Sequence, residues 1–199
     1  MARPWIGERW GDAENLLGGV KLLILGESTH AQESPIGASP ENFLIDTVKQ
    51  FLEHCEKWRF YSVLTAFVAN KELNQLTPDD RQTVWASVAF FNYVPGVAAQ
   101  FSRERPTDAM FEAGAEPFLA FVRCYSPEAV LVCGKCTWYW LLKGLGYEGR
   151  SWETPFYDVN GISMTCVTHP SAGFSYGQWR PVLDELLDRA RTRKNSVIN

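Results

Sequence analysis

Four short, largely apolar runs punctuate the chain, and each leads into a polar loop. They are Val20–Leu25, interrupted only by Lys21; Ala89–Tyr93, closing an apolar stretch that starts at Val84; Ala129–Cys133; and Ile162–Val167. Runs of this kind suit strands buried on both faces of a parallel sheet. Between them the pattern turns helical. Ser39-Pro40-Glu41-Asn42 reads as a helix start, with Ser39 as N-cap and Pro40 at the first helical position. Phe43, Leu44, Val48, Phe51 and Leu52 then form an apolar stripe. Trp58–Leu73 is mixed and leans to helix. Thr77-Pro78-Asp79-Asp80 combines an N-cap, a proline and an acidic first turn. Thr107-Asp108 caps a helix predicted to run to about Arg123, and Gly134-Lys135 opens one into Leu142. Gln178–Arg193 is a closing amphipathic helix with Val182, Leu183, Leu186 and Leu187 on its face. Gly144–Asp158 reads as loop, and 191–199 as a frayed tail.

Strands alternating with helices predict an α/β fold. The expected architecture is a three-layer α/β/α sandwich around a mostly parallel four-stranded sheet. No repeat or linker divides the chain, so residues 1–199 form one domain with its core at about 20–190. At 199 residues and 46% hydrophobic, the chain can bury a full core.

Composition narrows the setting. The net charge of −4 lowers the prior for a nucleic-acid binder without removing it, because a local basic face can hide in a whole-chain sum. Eight Trp are mostly core material. The five Cys are an odd number, and Cys133 and Cys166 lie inside apolar runs, which predicts reduced thiols and a cytoplasmic protein. Cys133-Gly-Lys-Cys136 has redox-pair spacing, yet no second pair exists to complete a zinc site. A strand-end Cys followed by a helix Cys is the plainer reading. The N-terminus has no apolar signal-peptide core, and no run approaches a membrane span.

Parallel strands bring their carboxyl ends to one side, where ligands bind. Three polar clusters fall at such ends: Gly26–Glu33, Asn92 with Tyr93, and His169 with Ser171. Taken singly, each is compatible with a loop histidine, a capping carboxylate or a turn asparagine. Together they offer a carboxylate that can orient water, an amide that can read an amide-like edge, and an imidazole that can stabilise an oxyanion. No P-loop is present.

The order of these blocks resembles the uracil-DNA glycosylase superfamily, closest to the branch whose first motif reads G-E-x-P-G. Gly26-Glu27-Ser28-Thr29-His30 is similar to that motif, and Phe90-Phe91-Asn92-Tyr93-Val94 to the strand-end Asn block. Arg105-Pro106-Thr107 and Pro127–Lys135 are similar to the middle section, and Thr168-His169-Pro170-Ser171-Ala172 to the His-Pro-Ser motif. The resemblance implies a monofunctional DNA glycosylase of base-excision repair. It would flip a uracil-like or modified pyrimidine out of single- or double-stranded DNA, hydrolyse the bond to deoxyribose and leave an abasic site. It also implies roles. Glu27 polarises water or stabilises the cationic sugar, with Ser28 and Glu33 as further candidates, and His169 stabilises the departing base. Asn92 reads the pyrimidine edge, with Gly26, His30 and Tyr93 around the base. Ser171 holds a phosphate, and Phe174 or Tyr176 serves as a minor-groove wedge. Apart from the resemblance, Arg103, Arg105 and Lys135 lie near predicted strand ends, where they read either as phosphate contacts or as ordinary solvated charges.

The departures shape the expectation. Ser28 stands where some branches carry an Asp, Thr29 replaces the motif Pro, and His30 occupies a position that elsewhere gates the base. Because the chain has no Cys before Cys55, no iron–sulfur cluster, other cofactor or metal is expected. The protein is expected to act as a monomer. Two alternatives stay open: a glycosylase for a hypermodified base such as those of phage DNA, with a place in phage defence, or a non-catalytic DNA- or nucleotide-binding module. A small-molecule hydrolase using Glu27 and His169 is a third.

Overall fold

The centre of the sheet is β2 (Leu22–Gly26), with every residue buried. The computed structural model describes residues 2–54, 58–101, 104–147 and 156–198. Strand β2 pairs in parallel with β4 (Ala89–Asn92) on one side and with β6 (Ala129–Cys133) on the other. Beyond β6, β8 (Ile162–Val167) is also parallel. All four are the apolar runs of the sequence. The expected four-stranded sheet is nevertheless too small. Antiparallel strands close both edges, β1 (Trp5–Ile6) on β4 and β7 (Phe156–Val159) on β8, giving a mixed six-stranded sheet in the order β1-β4-β2-β6-β8-β7. A separate two-stranded sheet joins β3 (Thr29–His30) to β5 (Val97–Ala99).

Helices cover both faces, and side-chain alternation along the strands shows which lie where. Phe90 meets Phe60 and Tyr61 of α2 (Arg59–Ala69), and Tyr61 and Trp85 of α3 (Pro78–Ser87) surround Phe51 of α1 (Phe43–His54). Phe91, pointing the other way, stacks on Phe121 of α5 (Ala115–Tyr125). At the far edge Asp158 pairs with Arg193 of α7 (Tyr176–Ile198), whereas Tyr157 packs on Trp138 of α6 (Lys135–Gly144). Helices α1, α2, α3 and α7 therefore share one face, and α5 and α6 the other. The short helix α4 (Asp108–Glu112) stacks Phe111 on Trp140 of α6.

Several boundaries differ from the sequence expectation. Ser39 does not cap α1. Its hydroxyl accepts from the Ala2 backbone N–H at 2.8 Å, and the helix starts at Phe43. The helix expected from Thr107 to about Arg123 is divided at Ala113-Gly114; Gly114 lies directly against Tyr93, where a β-carbon would meet the Tyr93 ring at 2.7 Å. Within the expected loop, 156–158 belong to β7, and 148–155 lie outside the described residues, as does Cys55. The expected tail is helical to Ile198, tied down by Arg191 to Leu17 O and Lys194 to Gly19 O. Thr77 caps α3 as expected, with a reciprocal bond from Asp80. Among the described residues, no helix is long and apolar enough to cross a membrane.

Candidate active site at the strand ends

The chain lays β4 on one side of β2 and then returns to lay β6 on the other, so the carboxyl end of β2 lies at a switch point, where open α/β sheets leave a crevice. Glu27 follows β2 there. The Tyr93 N–H donates to Gly26 O at 3.0 Å and the Val94 N–H to Glu27 O at 2.9 Å, so strand pairing holds this corner past the formal ends of β2 and β4. Pairing of β3 with β5 then fixes Thr29 and His30.

Gly26 and Asn92 are register partners. Asn92 is only 8% exposed, its Nδ2 donates to Thr29 Oγ1 at 3.0 Å, and its Oδ1 lies against the Gly26 α-carbon. Thr29, which replaces the motif proline, thus orients the amide.

The Glu27 carboxyl is half-buried. Burial pushes its pKa up, while Arg105, His30 and the hydroxyl of Thr137 on α6 pull it back. Thr137 is wholly buried and its hydroxyl makes no hydrogen bond among the described residues. His30 is exposed and its Nε2 lies 2.9 Å from Glu104 O; a carbonyl only accepts, so this nitrogen carries a proton.

His169 follows β8 and packs its ring on Phe60, 5.2 Å between centroids. The Ser171 backbone N–H donates to its Nδ1 at 3.3 Å, which leaves the proton of a neutral ring on Nε2. Burial lowers the His169 pKa, and nearby His30 lowers it further. The ring is therefore a neutral N–H donor, suited to an oxygen that gains negative charge. Gly134, with φ of 116°, caps α6 beside it; a β-carbon there would sit 3.7 Å from His169 Cβ and 3.8 Å from Thr137 Oγ1. One glycine thus separates the imidazole from the Thr137 hydroxyl.

The remaining sequence candidates are distributed unevenly. The Ser28 hydroxyl is buried and makes no hydrogen bond among the described residues. Glu33 is exposed in the turn after β3 and makes no ion pair among the described residues, so it does not join the Glu27 cluster. Tyr93 is 0% exposed and donates its hydroxyl to Trp140 O at 3.0 Å; it is core, not a base contact. Phe174 is half-buried edge-on against Phe67 at 5.0 Å and touches Tyr176, so neither ring projects as a free wedge. Arg105, Lys135 and Ser171 are exposed at the rim, and Arg103 lies outside the described residues. Cys133 is buried at the end of β6 and Cys136 half-buried in α6, both as free thiols.

Phe60 and Thr137 were not legible as site residues. Phe60 carries no motif signal at all. Thr137 had one, a polar residue in the first turn after a strand-end glycine. The chain matches no protein-family model and no curated protein sequence.

Proposed function

We propose that this protein is a monofunctional DNA glycosylase of the uracil-DNA glycosylase kind, acting on a uracil-like or modified pyrimidine. The observation that carries the reading is the state of His169. It is a neutral imidazole with Nδ1 occupied by the Ser171 N–H and Nε2–H left to donate, on the same rim as the Asn92 amide and the Glu27 carboxyl. The order of motif blocks and the four parallel strands inside the sheet support the same reading.

In this mechanism the flipped base presents its edge to Asn92. The C1′–N1 bond breaks and its electron pair leaves with the base. The negative charge spreads onto a carbonyl oxygen of the base that accepts from His169 Nε2–H. The Glu27 carboxylate takes a proton from water as the water oxygen bonds to C1′. The base anion is then protonated by solvent. Arg105 and Lys135 at the rim hold phosphates, and the enzyme works in the cytoplasm as a monomer.

The test is a single-turnover assay on labelled oligonucleotides, followed by alkali. The panel holds uracil in single strands and opposite G and A, thymine opposite G, hypoxanthine, and modified cytosines. Cleavage of one substrate, lost in His169→Ala and Asn92→Ala, is the expected result. Tight DNA binding without cleavage of any member overturns the enzyme reading in favour of a binding module. A second reading, an enlarged or hypermodified base, is favoured by His30, which is exposed and bonded to Glu104. Preference for the bulkier cytosines in the same panel identifies it.

A further inference from the structure

We infer that Phe101, in the turn after β5, is a stacking contact for a base of the bound DNA strand beside the flipped nucleotide. This rests on DNA being the ligand, as proposed above. Phe101 is 57% exposed, more than any other aromatic residue among those described. The other two exposed rings, Tyr125 and Tyr139, lean on Phe121 and Trp140, whereas Phe101 makes no ring contact among the described residues. A lone exposed apolar side chain is ordinary. The surroundings of this one set it apart.

The turn is tied to the site. The Phe101 N–H donates to Glu104 Oε2 at 3.3 Å, and the Glu104 N–H donates back to Phe101 O at 3.4 Å. Glu104 O accepts from His30 Nε2–H at 2.9 Å, and the neighbouring Thr29 holds the Asn92 amide. One path of hydrogen bonds and short chain thus joins the proposed base reader to the turn that presents the ring. A cation lies in the same loop, the exposed Arg105, while the one carboxylate of the turn is turned toward the Phe101 N–H. An aromatic face beside a guanidinium is the combination that holds single strands, with bases stacked on the ring and phosphates on the cation. The rings expected to fill the gap left by the flipped base are engaged elsewhere, Phe174 on Phe67 and Tyr176 on Phe174. Phe101 is the ring at this rim with a free face.

The test is an anisotropy titration with a labelled single-stranded oligonucleotide carrying one 2′-fluoro-deoxyuridine, which resists cleavage. It is run over a range of salt for the wild type, Phe101→Ala, Phe101→Leu and Phe101→Trp. An exposed position tolerates all three substitutions. Ala and Leu should each raise Kd about tenfold, the scale of one lost base–ring stack, and Trp should stay within about twofold of wild type. The salt slope should be the same for all four proteins, because a lost stack changes no counterion release. An unmoved Kd in Ala overturns the inference. So does full retention by Leu, which keeps the apolar surface without the ring, or a flatter salt slope, which would trace the loss to a displaced cation. Sedimentation velocity covers the remaining occupant: self-association lost in Ala with DNA binding intact would assign the ring to a second copy and overturn the inference. Binding is read without cleavage, which separates the two claims. A loss restored by Trp in a protein that releases no base leaves the stacking contact and removes the glycosylase reading. An active enzyme with an unmoved Kd does the reverse, and a wild type that binds no DNA overturns both.

Discussion

Asn92 occupies the space that a side chain at position 26 would need. A β-carbon built on Gly26 would overlap Asn92 Oδ1 and press the Phe90 ring at 3.0 Å. The backbone of Gly26 is not in the left-handed region, so room for the amide, not chain flexibility, is what excludes other residues. Gly26→Ala should therefore displace Asn92 and break its bond to Thr29. We expect a loss of about 1–3 kcal/mol in stability, the usual result of overpacking, and at least tenfold slower base release. Urea unfolding and the single-turnover assay check the two halves. An unchanged rate would mean that the position of Asn92 is not needed.

Glu27 links stability to function with opposite signs. Burial raises its folded-state pKa, so the native protein favours the neutral carboxyl. Its stabilising share is complete below the ordinary glutamate range and is lost as pH rises through the raised value. Glu27→Gln should match wild type in acid and become more stable than wild type near neutrality, with Tm rising about 2–4 °C per kcal/mol relieved. Base release should fall at least about a hundredfold, the scale of a lost general base. A variant that melts lower than wild type at neutral pH would contradict the burial argument.

Tyr93 tests the boundary between core and site. Its ring rests on Gly114 and its hydroxyl donates to Trp140 O, wholly inside the protein. Burial pushes its pKa up to about 12. Tyr93→Phe should lower stability by about 1 kcal/mol, the net value of one hydrogen bond, and leave base release unchanged. A fall in rate with stability intact would place Tyr93 in contact with the substrate instead.

How much was legible follows from the range over which each signal acts. Buried parallel strands announce themselves as apolar runs, and all four were readable, as was the Thr77 cap, because these signals are local. The edge strands were not. Trp5-Ile6 is too short to show a period, and its place is set by pairing with Phe90 and Ala89 far along the chain. Strand β7 had a signal that went unread: Asn160-Gly161 between Val159 and Ile162, with φ of 50° and 84°, is the turn that closes a two-residue hairpin. In the candidate site, Glu27, Asn92 and His169 were singled out in the sequence by their position at strand ends, and the structure places them at the same edge of the sheet. Tyr93 was misplaced because one residue further along a strand end turns a side chain to the other face. Phe60 comes from a helix that only the three-dimensional packing brings to the rim.

Away from the site, Asp80 offers a check on the helix cap. Its carboxylate receives Lys71 Nζ at 2.8 Å and accepts from Thr77 N and Oγ1 at 3.0 and 2.9 Å. The Lys71 ammonium foremost, with the Thr77 bonds, holds its pKa down to about 2. For a depressed carboxylate the stabilising share is present above the ordinary aspartate range and lost as pH falls through about 2. The pair is near the surface, so the lost cap, not the full Coulomb attraction, sets the scale. Asp80→Ala should cost about 1 kcal/mol at neutral pH in urea unfolding. The gap should narrow steadily between about pH 4 and pH 2, where the wild-type carboxyl takes up its proton. Base release at neutral pH should not change, because Asp80 lies at the far end of α3 from Trp85, whose packing on Phe90 and Tyr61 joins the helix to the core beneath the site. A gap that stays constant down to pH 2 would mean that Asp80 stabilises the helix without its charge.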